Sequence, residues 1–185
     1  MRDDLRKILF HETTILARLD ELAEELTRDY LGKDLTVLVV LHGGMILMAD
    51  LLRRVQIPLR IETLVAASYH GGTESCGEVR FSPGPWPDVR HRHVLVLDDI
   101  LDTGLTLKAV KDRLLEVGGA ASVKSCVLLS KNKDRSVEVE ADYTGFHIRD
   151  EFVVGYGLDF DGRYRNLPFI GVLKQEVIAA AGVSP

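Results

Sequence analysis

The chain has 185 residues, a formal net charge of −5 at pH 7 and an apolar share of 46%. This length suits one domain, and the composition is that of a globular protein rather than a disordered one. The charge argues against a broad nucleic-acid-binding surface, and no apolar run reaches membrane-spanning length or resembles a signal-peptide core. Cys76 and Cys126 form no CxxC pair. We therefore expect a single soluble, cytoplasmic domain over residues 1–185, without a membrane or nucleic-acid partner.

Hydrophobic periodicity predicts helices that alternate with strands. Apolar residues spaced by three and four predict an amphipathic helix over residues 12–30. Two further helices are predicted at residues 45–55 and from about residue 107, the latter ended by Gly118 and Gly119. Apolar, β-branched runs predict strands at Leu35–Leu41, 61–69, 94–97, 123–129 and 152–156, with a possible last strand at 169–173. This order implies right-handed crossovers and a mostly parallel, twisted sheet with helices on both faces, an α/β fold.

Residues 70–92 interrupt the alternation. They contain glycines and three prolines, and few residues that suit a core. We expect a long flexible connection, and such segments in compact domains are commonly lids, binding loops or linkers. A variable surface loop is the simpler alternative.

The segment HVLVLDDILDTGLT, residues 93–106, places three carboxylates around the end of a predicted strand. Asp98 and Asp99 fall where parallel sheets bind their ligands. Neighbouring carboxylates repel each other unless a cation or a hydrogen-bond donor compensates them. Magnesium is the natural candidate, because it binds few carboxylates and shares phosphate oxygens.

The next residues, Asp102 to Thr106, lead into a predicted helix whose unpaired amides and dipole would attract a phosphate. Gly104 lets successive N–H groups converge, and two threonine hydroxyls add donors. Helix capping by Asp102 or Thr103 is the simpler alternative, but it does not explain the two carboxylates on the strand side. A metal site beside a phosphate cradle suggests a ligand with two separate phosphate groups. The P-loop and GxGxxG motifs are absent from the sequence.

VLVLDDILDTGLT resembles the phosphoribosyl-pyrophosphate signature of the type I phosphoribosyltransferases. Three other segments resemble the bacterial hypoxanthine (6-oxopurine) members: VVLHGGMILMADLLRR, the tripeptide Ala67-Ser68-Tyr69, and DEFVVGYGLDFDGRYRNLPFIGVL. Together they cover nearly the whole chain from about residue 35 onward. The resemblance implies the type I phosphoribosyltransferase fold, with a mobile lid over about residues 70–92. It also implies a small hood formed by the N-terminal segment and about residues 150–180.

The implied reaction is purine salvage: magnesium-dependent transfer of the 5-phosphoribosyl group from phosphoribosyl pyrophosphate to hypoxanthine or guanine. The products are IMP or GMP and pyrophosphate. The resemblance assigns Asp102 as the base that takes the purine N7 proton, and we expect the neighbouring carboxylates to raise its proton affinity. Four groups of residues complete the implied site: Gly43, Gly44, Asp98, Asp99, Thr103, Gly104, Leu105, Thr106 and Arg165 for phosphoribosyl pyrophosphate; Lys131, Phe152, Val153 and Asp159 for the purine; Ser68 and Tyr69 in the lid; and Asp98, Asp99 and Asp159 for magnesium.

Each assignment has a simpler structural alternative. The glycines after the strand at Leu35–Leu41 suit an ordinary turn, although the family often has a non-proline cis peptide just before them. Lys131, in KNKDR, suits a solvated loop, whereas its implied role as donor to the purine O6 would favour 6-oxopurines over adenine. Phe152 suits a core position as well as a stack on the base. The charges in DFDGRYRN suit a solvated turn.

Two residues depart from the family pattern. His42 stands where Lys or Arg is usual, so a fixed charge becomes titratable near pH 6.5, the unperturbed histidine value. We therefore expect pyrophosphate affinity to strengthen as the pH falls toward that value. Asp98 stands in place of the commoner Glu, which shortens the arm that contacts the ribose.

Two other functions remain open from the sequence. One is a relative specialised for xanthine and guanine. The other is a non-catalytic RNA-binding regulator with the same fold, which would need a basic surface, whereas Lys+Arg number 23 against 28 Asp+Glu. Relatives are usually dimers or tetramers, so we expect a homodimer or homotetramer.

Overall fold

The computed structural model describes residues 1–68, 79–117 and 119–181. A 3-10 turn at Arg2–Asp4 precedes the first strand. The remaining elements of the described ranges, numbered in chain order, are β1 (Leu5–Phe10), α1 (Glu12–Tyr30), β2 (Leu35–Leu41), α2 (Gly44–Leu52), β3 (Leu59–Ser68), β4 (Val79–Phe81), β5 (His93–Leu101), α3 (Leu105–Val117), β6 (Ser122–Lys131), β7 (Tyr143–Ile148), β8 (Val153–Val154), β9 (Ile170–Leu173) and α4 (Gln175–Ala180). No helix among these residues is long and apolar enough to span a bilayer.

The larger sheet has the strand order β4-β3-β2-β5-β6-β7, and its strands are parallel except for β4, which is antiparallel to β3. From β2 the chain passes through α2 to β3 on one side, and then returns to place β5 on the other side of β2. The sheet therefore has its topological switch point between β2 and β5, which is where open α/β sheets form their ligand crevice.

Helices cover both faces of this sheet, because both faces of its central strands are apolar. Leu19, Leu22 and Leu26 of α1 pack with Leu47 and Leu51 of α2 in one core cluster. The opposite face packs on α3 through Leu107, Val110 and Leu114. Successive residues of β2 and β5 alternate between the clusters, with one face given by Val37, Val39, Leu95 and Leu97 and the other by Leu38, Val40, Val94 and Val96. The predicted α/β architecture is confirmed.

A second, smaller sheet forms the hood. It is antiparallel, in the order β1-β9-β8, and has its own core, which includes Leu5, Val154, Phe160 and Leu173. The strands predicted at 152–156 and 169–173 thus belong to the hood and not to the main sheet. The N-terminal and C-terminal segments meet in this sheet, as the resemblance implied.

Several elements differ from the prediction. Four elements, β1, β4, β7 and α4, were not predicted, because they are short or weakly patterned. The strand predicted at 94–97 extends to Leu101, because β6 continues to pair with it through Leu101↔Ser130. The helix after it begins at Leu105, two residues earlier than predicted. Gly118, predicted as one of its last residues, lies outside the described residues.

The segment 70–92 is not wholly peripheral. Residues 69–78 lie outside the described part of the chain, but Val79–Phe81 forms β4 against β3. Phe81 packs edge-to-face on Trp86 with ring centroids 5.0 Å apart, and Val89 is buried in the α3-side core. The expectation that this segment lacks core residues is therefore wrong for its second half.

Candidate active site

The switch point brings two polypeptide turns into contact. β5 pairs with β2 only as far as Val39↔Leu97, whereas it follows β6 to Leu101, so one side of β5 is open beyond Leu97. The chain after β2 turns there through a cis peptide between Leu41 and His42, as the resemblance implied. A Cβ at position 43 would overlap the Asp99 carboxylate. Glycine is thus required at 43 by the approach of that carboxylate, which an ordinary turn does not explain.

Asp98 and Asp99 form an adjacent acidic pair on this open side, and the positive charge of Arg165 partly compensates Asp99. Asp98 is buried, and its Oδ1 accepts a hydrogen bond from the Asp99 N–H at 2.9 Å. Burial raises the pKa of both carboxyls, and the charge of Asp99 raises the pKa of Asp98 further. Their environment therefore disfavours two bare negative charges, so the pair suits a divalent cation. Among the described residues, Asp159 does not join them in a group of three metal-ligating side chains.

The loop after β5 forms one wall of a cleft of about 330 Å³. Gly104 has a φ of +83°, and Val137 and Val139 pack where its Cβ would lie. The Leu105 N–H approaches the Thr103 hydroxyl at 3.4 Å as α3 begins. The residues that line the cleft include Asp98, Asp99, Asp102, Thr103, Gly104, Thr106 and Asp159. The cleft therefore brings the carboxylates and the threonine hydroxyls of residues 98–106 together at the N-terminus of α3. Leu105 lies in the first turn of α3 and does not line the cleft.

A smaller pocket of about 170 Å³ adjoins this cleft, and the two share Asp99, Ile100, Asp102 and Asp159. The other residues that line the pocket are Lys131, Phe152, Val153 and Leu158. The Phe152 side chain is 39% exposed and meets Phe160 edge-to-face at 5.4 Å, so it is not a core residue. All four residues assigned to the purine thus line one pocket.

Asp102 lies between the two cavities and is surrounded by lysines. Its Oδ2 is 2.8 Å from Lys131 Nζ, and Lys133 ion-pairs with its Oδ1. Burial favours the protonated form, but the hydrogen bonds and charges of the two lysines outweigh burial and lower the Asp102 pKa. The expectation that neighbouring carboxylates raise its proton affinity is therefore wrong, because cations lie closer than the other carboxylates.

Strand pairing explains why Lys131 reaches this position. It is the last residue of β6, and Leu101 pairs with the residue before it, so Lys131 and Asp102 lie at adjacent ends of parallel strands. Lys131 is buried and also donates to Asp150 Oδ1 at 2.9 Å. It is not a solvated loop residue.

Arg165 joins the hood to the site. Its Nη1 donates to the Gly157 carbonyl at 2.6 Å, and its Nη2 is 2.8 Å from Asp159 Oδ1. Asp159 Oδ2 also accepts the Gly162 N–H at 2.7 Å. Asp159 and Arg165 are thus held in a network at the cleft, whereas Asp161 and Arg163 are exposed and pair with each other as in a solvated turn.

The other predicted residues are placed as follows. Gly44 is buried, and a Cβ there would lie 3.3 Å from the Leu97 carbonyl, so α2 begins tightly against β5. His42 is exposed beside the cis peptide. Ser68 is the last residue of β3, and Tyr69 lies outside the described residues.

Three features of the site were not predicted from the sequence. Lys133 and Asp150 complete the charge cluster around Asp102, and Gly157 contacts the turn at Gly43. A signal existed for the last, since two glycines flank Tyr156 in the hood segment. No local pattern distinguishes Lys133 from an ordinary loop lysine.

Comparison with known proteins agrees with this geometry. The phosphoribosyl transferase domain family matches residues 6–161. The hypoxanthine-guanine phosphoribosyltransferase of Streptococcus pneumoniae strain R6 is 44% identical over 96% of this chain and 98% of its own length, and that of Streptococcus thermophilus is 40% identical over the same shares. The crystal structure of a hypoxanthine phosphoribosyltransferase from Staphylococcus aureus has a TM-score of 0.89, with 44% identity and 96% of each chain covered. A ternary substrate complex of a mutant Trypanosoma cruzi hypoxanthine phosphoribosyltransferase has a TM-score of 0.87 with 37% identity, over 95% of this chain and 98% of that one. The chain belongs to the phosphoribosyltransferase family and, within it, to the hypoxanthine-guanine phosphoribosyltransferases.

Proposed function

We propose that this protein transfers the 5-phosphoribosyl group of phosphoribosyl pyrophosphate to hypoxanthine and guanine, with Asp102 as the catalytic base. The observation that carries the proposal is the meeting of a polar cleft and a purine-sized pocket at that carboxylate. One substrate in each cavity would place the sugar carbon and the attacking purine nitrogen next to each other, which supplies the proximity that this bimolecular step needs.

The cleft is proposed to hold phosphoribosyl pyrophosphate. The loop from Thr103 to Thr106 would receive the 5′-phosphate at the N-terminus of α3, where unpaired amides and hydroxyls converge. Asp98 and Asp99 would face the ribose hydroxyls. The pyrophosphate would lie toward the Gly43-Gly44 turn and Arg165, whose guanidinium suits a phosphate group.

The pocket is proposed to hold the base. Phe152 offers an exposed ring for stacking, and the Val153 backbone borders the purine edge. Lys131 carries three N–H donors, of which two are directed at Asp102 and Asp150. The third is available for the purine O6, which favours a 6-oxopurine over the amino group of adenine.

Asp102 would act in its ionised form. Because Lys131 and Lys133 lower its pKa, the carboxylate is deprotonated at neutral pH. It can then accept the N7 proton as N9 bonds to the sugar carbon and the ring becomes cationic. The same two lysines make the carboxylate a weaker base. Proton transfer therefore depends on the rise in acidity of the N7 proton when the purine ring becomes cationic.

Magnesium is the proposed cofactor, and Asp98 and Asp99 are the side chains that fit it best. Magnesium bound there would neutralise charge on the leaving pyrophosphate. The assignment of Asp159 as a third ligand is weaker, because Arg165 and the Gly162 amide already hold its carboxylate.

A spectrophotometric assay with each purine tests the proposed activity. With magnesium and phosphoribosyl pyrophosphate, hypoxanthine and guanine are expected to give IMP and GMP, and adenine is expected to react far more slowly. The rate with xanthine decides between this activity and the xanthine-guanine alternative. Formation of no nucleotide with any purine would refute the enzymatic proposal and leave the RNA-binding regulator, which gel-shift measurements would then address.

Removal of magnesium is expected to abolish nucleotide formation, and its return to restore it. Because Asp99 is proposed as a ligand, Asp99→Asn should raise the magnesium concentration that gives half-maximal rate. Asp159→Asn is the matched variant and should raise it less. Initial rates across a magnesium titration measure both effects, and full activity in excess chelator would contradict the assignment.

The histidine at position 42 predicts a pH-dependent affinity for pyrophosphate. A protonated imidazole carries a positive charge that would attract pyrophosphate, so binding should tighten as the pH falls. His42→Lys supplies a permanent charge in the same place and serves as the control, with a flatter profile. Calorimetric titration with magnesium pyrophosphate measures both profiles. Equal slopes in the two proteins would rule out His42 as the cause.

The remaining proposals concern the setting of the reaction. We place it in the cytoplasm, where the buried free thiol of Cys126 would remain reduced. A homodimer or homotetramer is proposed; in the Trypanosoma cruzi hypoxanthine phosphoribosyl transferase the C-terminal region has a role in oligomeric state and enzymatic activity. The proposed lid comprises about residues 70–92, with Ser68 and Tyr69 at its start. Residues 1–185 are proposed to act as one domain.

A further inference from the structure

Tyr156 links the hood to α2 beside the active site. Its side chain is almost fully buried, and its hydroxyl donates to Asp50 Oδ2 at 2.6 Å. Within the described residues this is the side-chain hydrogen bond that joins residues 153–181 to α2. The Tyr156 N–H also donates to the Leu167 carbonyl at 2.8 Å, so the residue is fixed at both its backbone and its side chain.

The backbone around Tyr156 has an unusual conformation. Gly155, Tyr156 and Gly157 have φ values of +99°, +53° and +101°. Positive φ is disfavoured for a tyrosine, and such residues persist where the surrounding contacts determine them. The two glycines accept this conformation readily, whereas Tyr156 has a side chain that must reach α2. The hydrogen bond to Asp50 therefore adds a side-chain anchor on α2 to the backbone hydrogen bonds that hold this turn.

That turn contacts both groups proposed to hold pyrophosphate. A Cβ on Gly157 would overlap the Gly43 carbonyl, so the hood backbone rests directly on the turn before α2. The Gly157 carbonyl accepts a hydrogen bond from Arg165 Nη1 at 2.6 Å, and its N–H donates to the Arg165 carbonyl at 3.0 Å. A shift of Gly157 would thus move the guanidinium and the Gly43 backbone together.

We propose that the Tyr156–Asp50 hydrogen bond is a positioning contact that sets the pyrophosphate end of the site by holding Gly157 between Gly43 and Arg165. This inference rests on the proposed function. Tyr156 itself does not line either cavity, so it acts through its neighbours. Loss of the bond should weaken phosphoribosyl pyrophosphate more than the purine, since Lys131, Phe152 and Val153 of the purine pocket are held by contacts outside this turn.

Tyr156→Phe removes the hydroxyl and keeps the ring. The KM for phosphoribosyl pyrophosphate should rise several-fold, up to the limit of about tenfold that the free energy of one strong hydrogen bond sets. The KM for hypoxanthine should stay within about twofold of the original value. Tyr143→Phe is the matched control, because it removes another buried tyrosine–aspartate hydrogen bond, 2.8 Å to Asp29, at the start of β7 and so at the opposite end of the parallel strands from the two cavities. It should leave both constants unchanged.

Two variants of the acceptor give an independent test. Asp50→Asn and Asp50→Leu both remove the charge that pairs with Arg53, but only Asn retains an oxygen for the Tyr156 hydroxyl. Asp50→Leu should raise the KM for phosphoribosyl pyrophosphate as Tyr156→Phe does. Asp50→Asn should leave this KM close to that of the unmodified protein. This pair also decides the matter if Tyr156→Phe does not fold.

The outcomes separate this inference from the proposed function. If the unmodified protein forms no nucleotide, the proposed function fails, and magnesium pyrophosphate binding measured by calorimetry still reports on the positioning contact. If the unmodified protein is active but Tyr156→Phe changes only the melting temperature, the contact is merely structural and the inference is overturned. Equal KM values for phosphoribosyl pyrophosphate in the two Asp50 variants would overturn it as well.

Discussion

Asp102→Asn is expected to lower kcat for IMP formation by about 10²- to 10³-fold, within the range that a general base contributes. The amide has the shape of the carboxylate but cannot accept the N7 proton. Phosphoribosyl pyrophosphate is proposed to bind mainly through other residues of the cleft, so its KM should change by no more than about threefold. Steady-state kinetics with each substrate varied in turn measure both constants.

Asp150→Asn is the matched control for this result. Asp150 contacts the same two lysines as Asp102, but it is half exposed and lines neither the cleft nor the purine pocket. Its replacement removes the same charge from the cluster without removing the proposed base, and we expect a several-fold effect at most. Similar losses in the two variants would show that charge balance around the lysines, and not proton transfer by Asp102, limits the reaction.

Lys131→Met is expected to lower kcat/KM for hypoxanthine by about 10- to 100-fold, which corresponds to the loss of one charge-assisted hydrogen bond to O6. The methionine keeps the length of the side chain and removes its donors. Because adenine does not use that donor, discrimination between hypoxanthine and adenine should narrow by a similar factor. Parallel measurements with the two bases test this selectivity directly.

Lys133→Met provides the comparison for Lys131. Lys133 also pairs with Asp102 and Asp150 but lies outside the lining of the purine pocket. Because Lys133 pairs with Asp102, its removal should change kcat. The preference for 6-oxopurines over adenine should stay the same. If Lys133→Met reduces the discrimination between hypoxanthine and adenine as much as Lys131→Met does, Lys131 is not the residue that recognises O6.

The sequence predicted those parts of the fold and site that depend on local pattern. The apolar run Leu35–Leu41 and the periodic helix Glu12–Tyr30 appear with the predicted bounds, because both are buried in the way their spacing indicates. Most residues that the resemblance named for the acidic signature and the purine line two adjoining cavities, whereas Gly43, Gly44, Leu105 and Arg165 do not line them. Short strands such as Val79–Phe81 could not be predicted, because their stability comes from pairing with distant partners and not from their own residues.

Electrostatics was the least predictable part of the site. Asp102 follows two carboxylates in the sequence, which suggested a raised pKa, but the ends of parallel strands bring Lys131 closer to it. The contact between Gly157 and Gly43 likewise joins segments more than a hundred residues apart. Such relations depend on strand order and on the packing of the hood, neither of which is encoded in local spacing.

The structure of the complex with IMP tests the assignment of the site most directly. We predict the 5′-phosphate on the amides and hydroxyls of Thr103–Thr106, the base over Phe152, and Lys131 Nζ within about 3.2 Å of O6. We also predict that the Asp102 carboxylate faces N7 at hydrogen-bond distance. A phosphate bound elsewhere, or a base whose N7 points away from Asp102, would contradict this assignment.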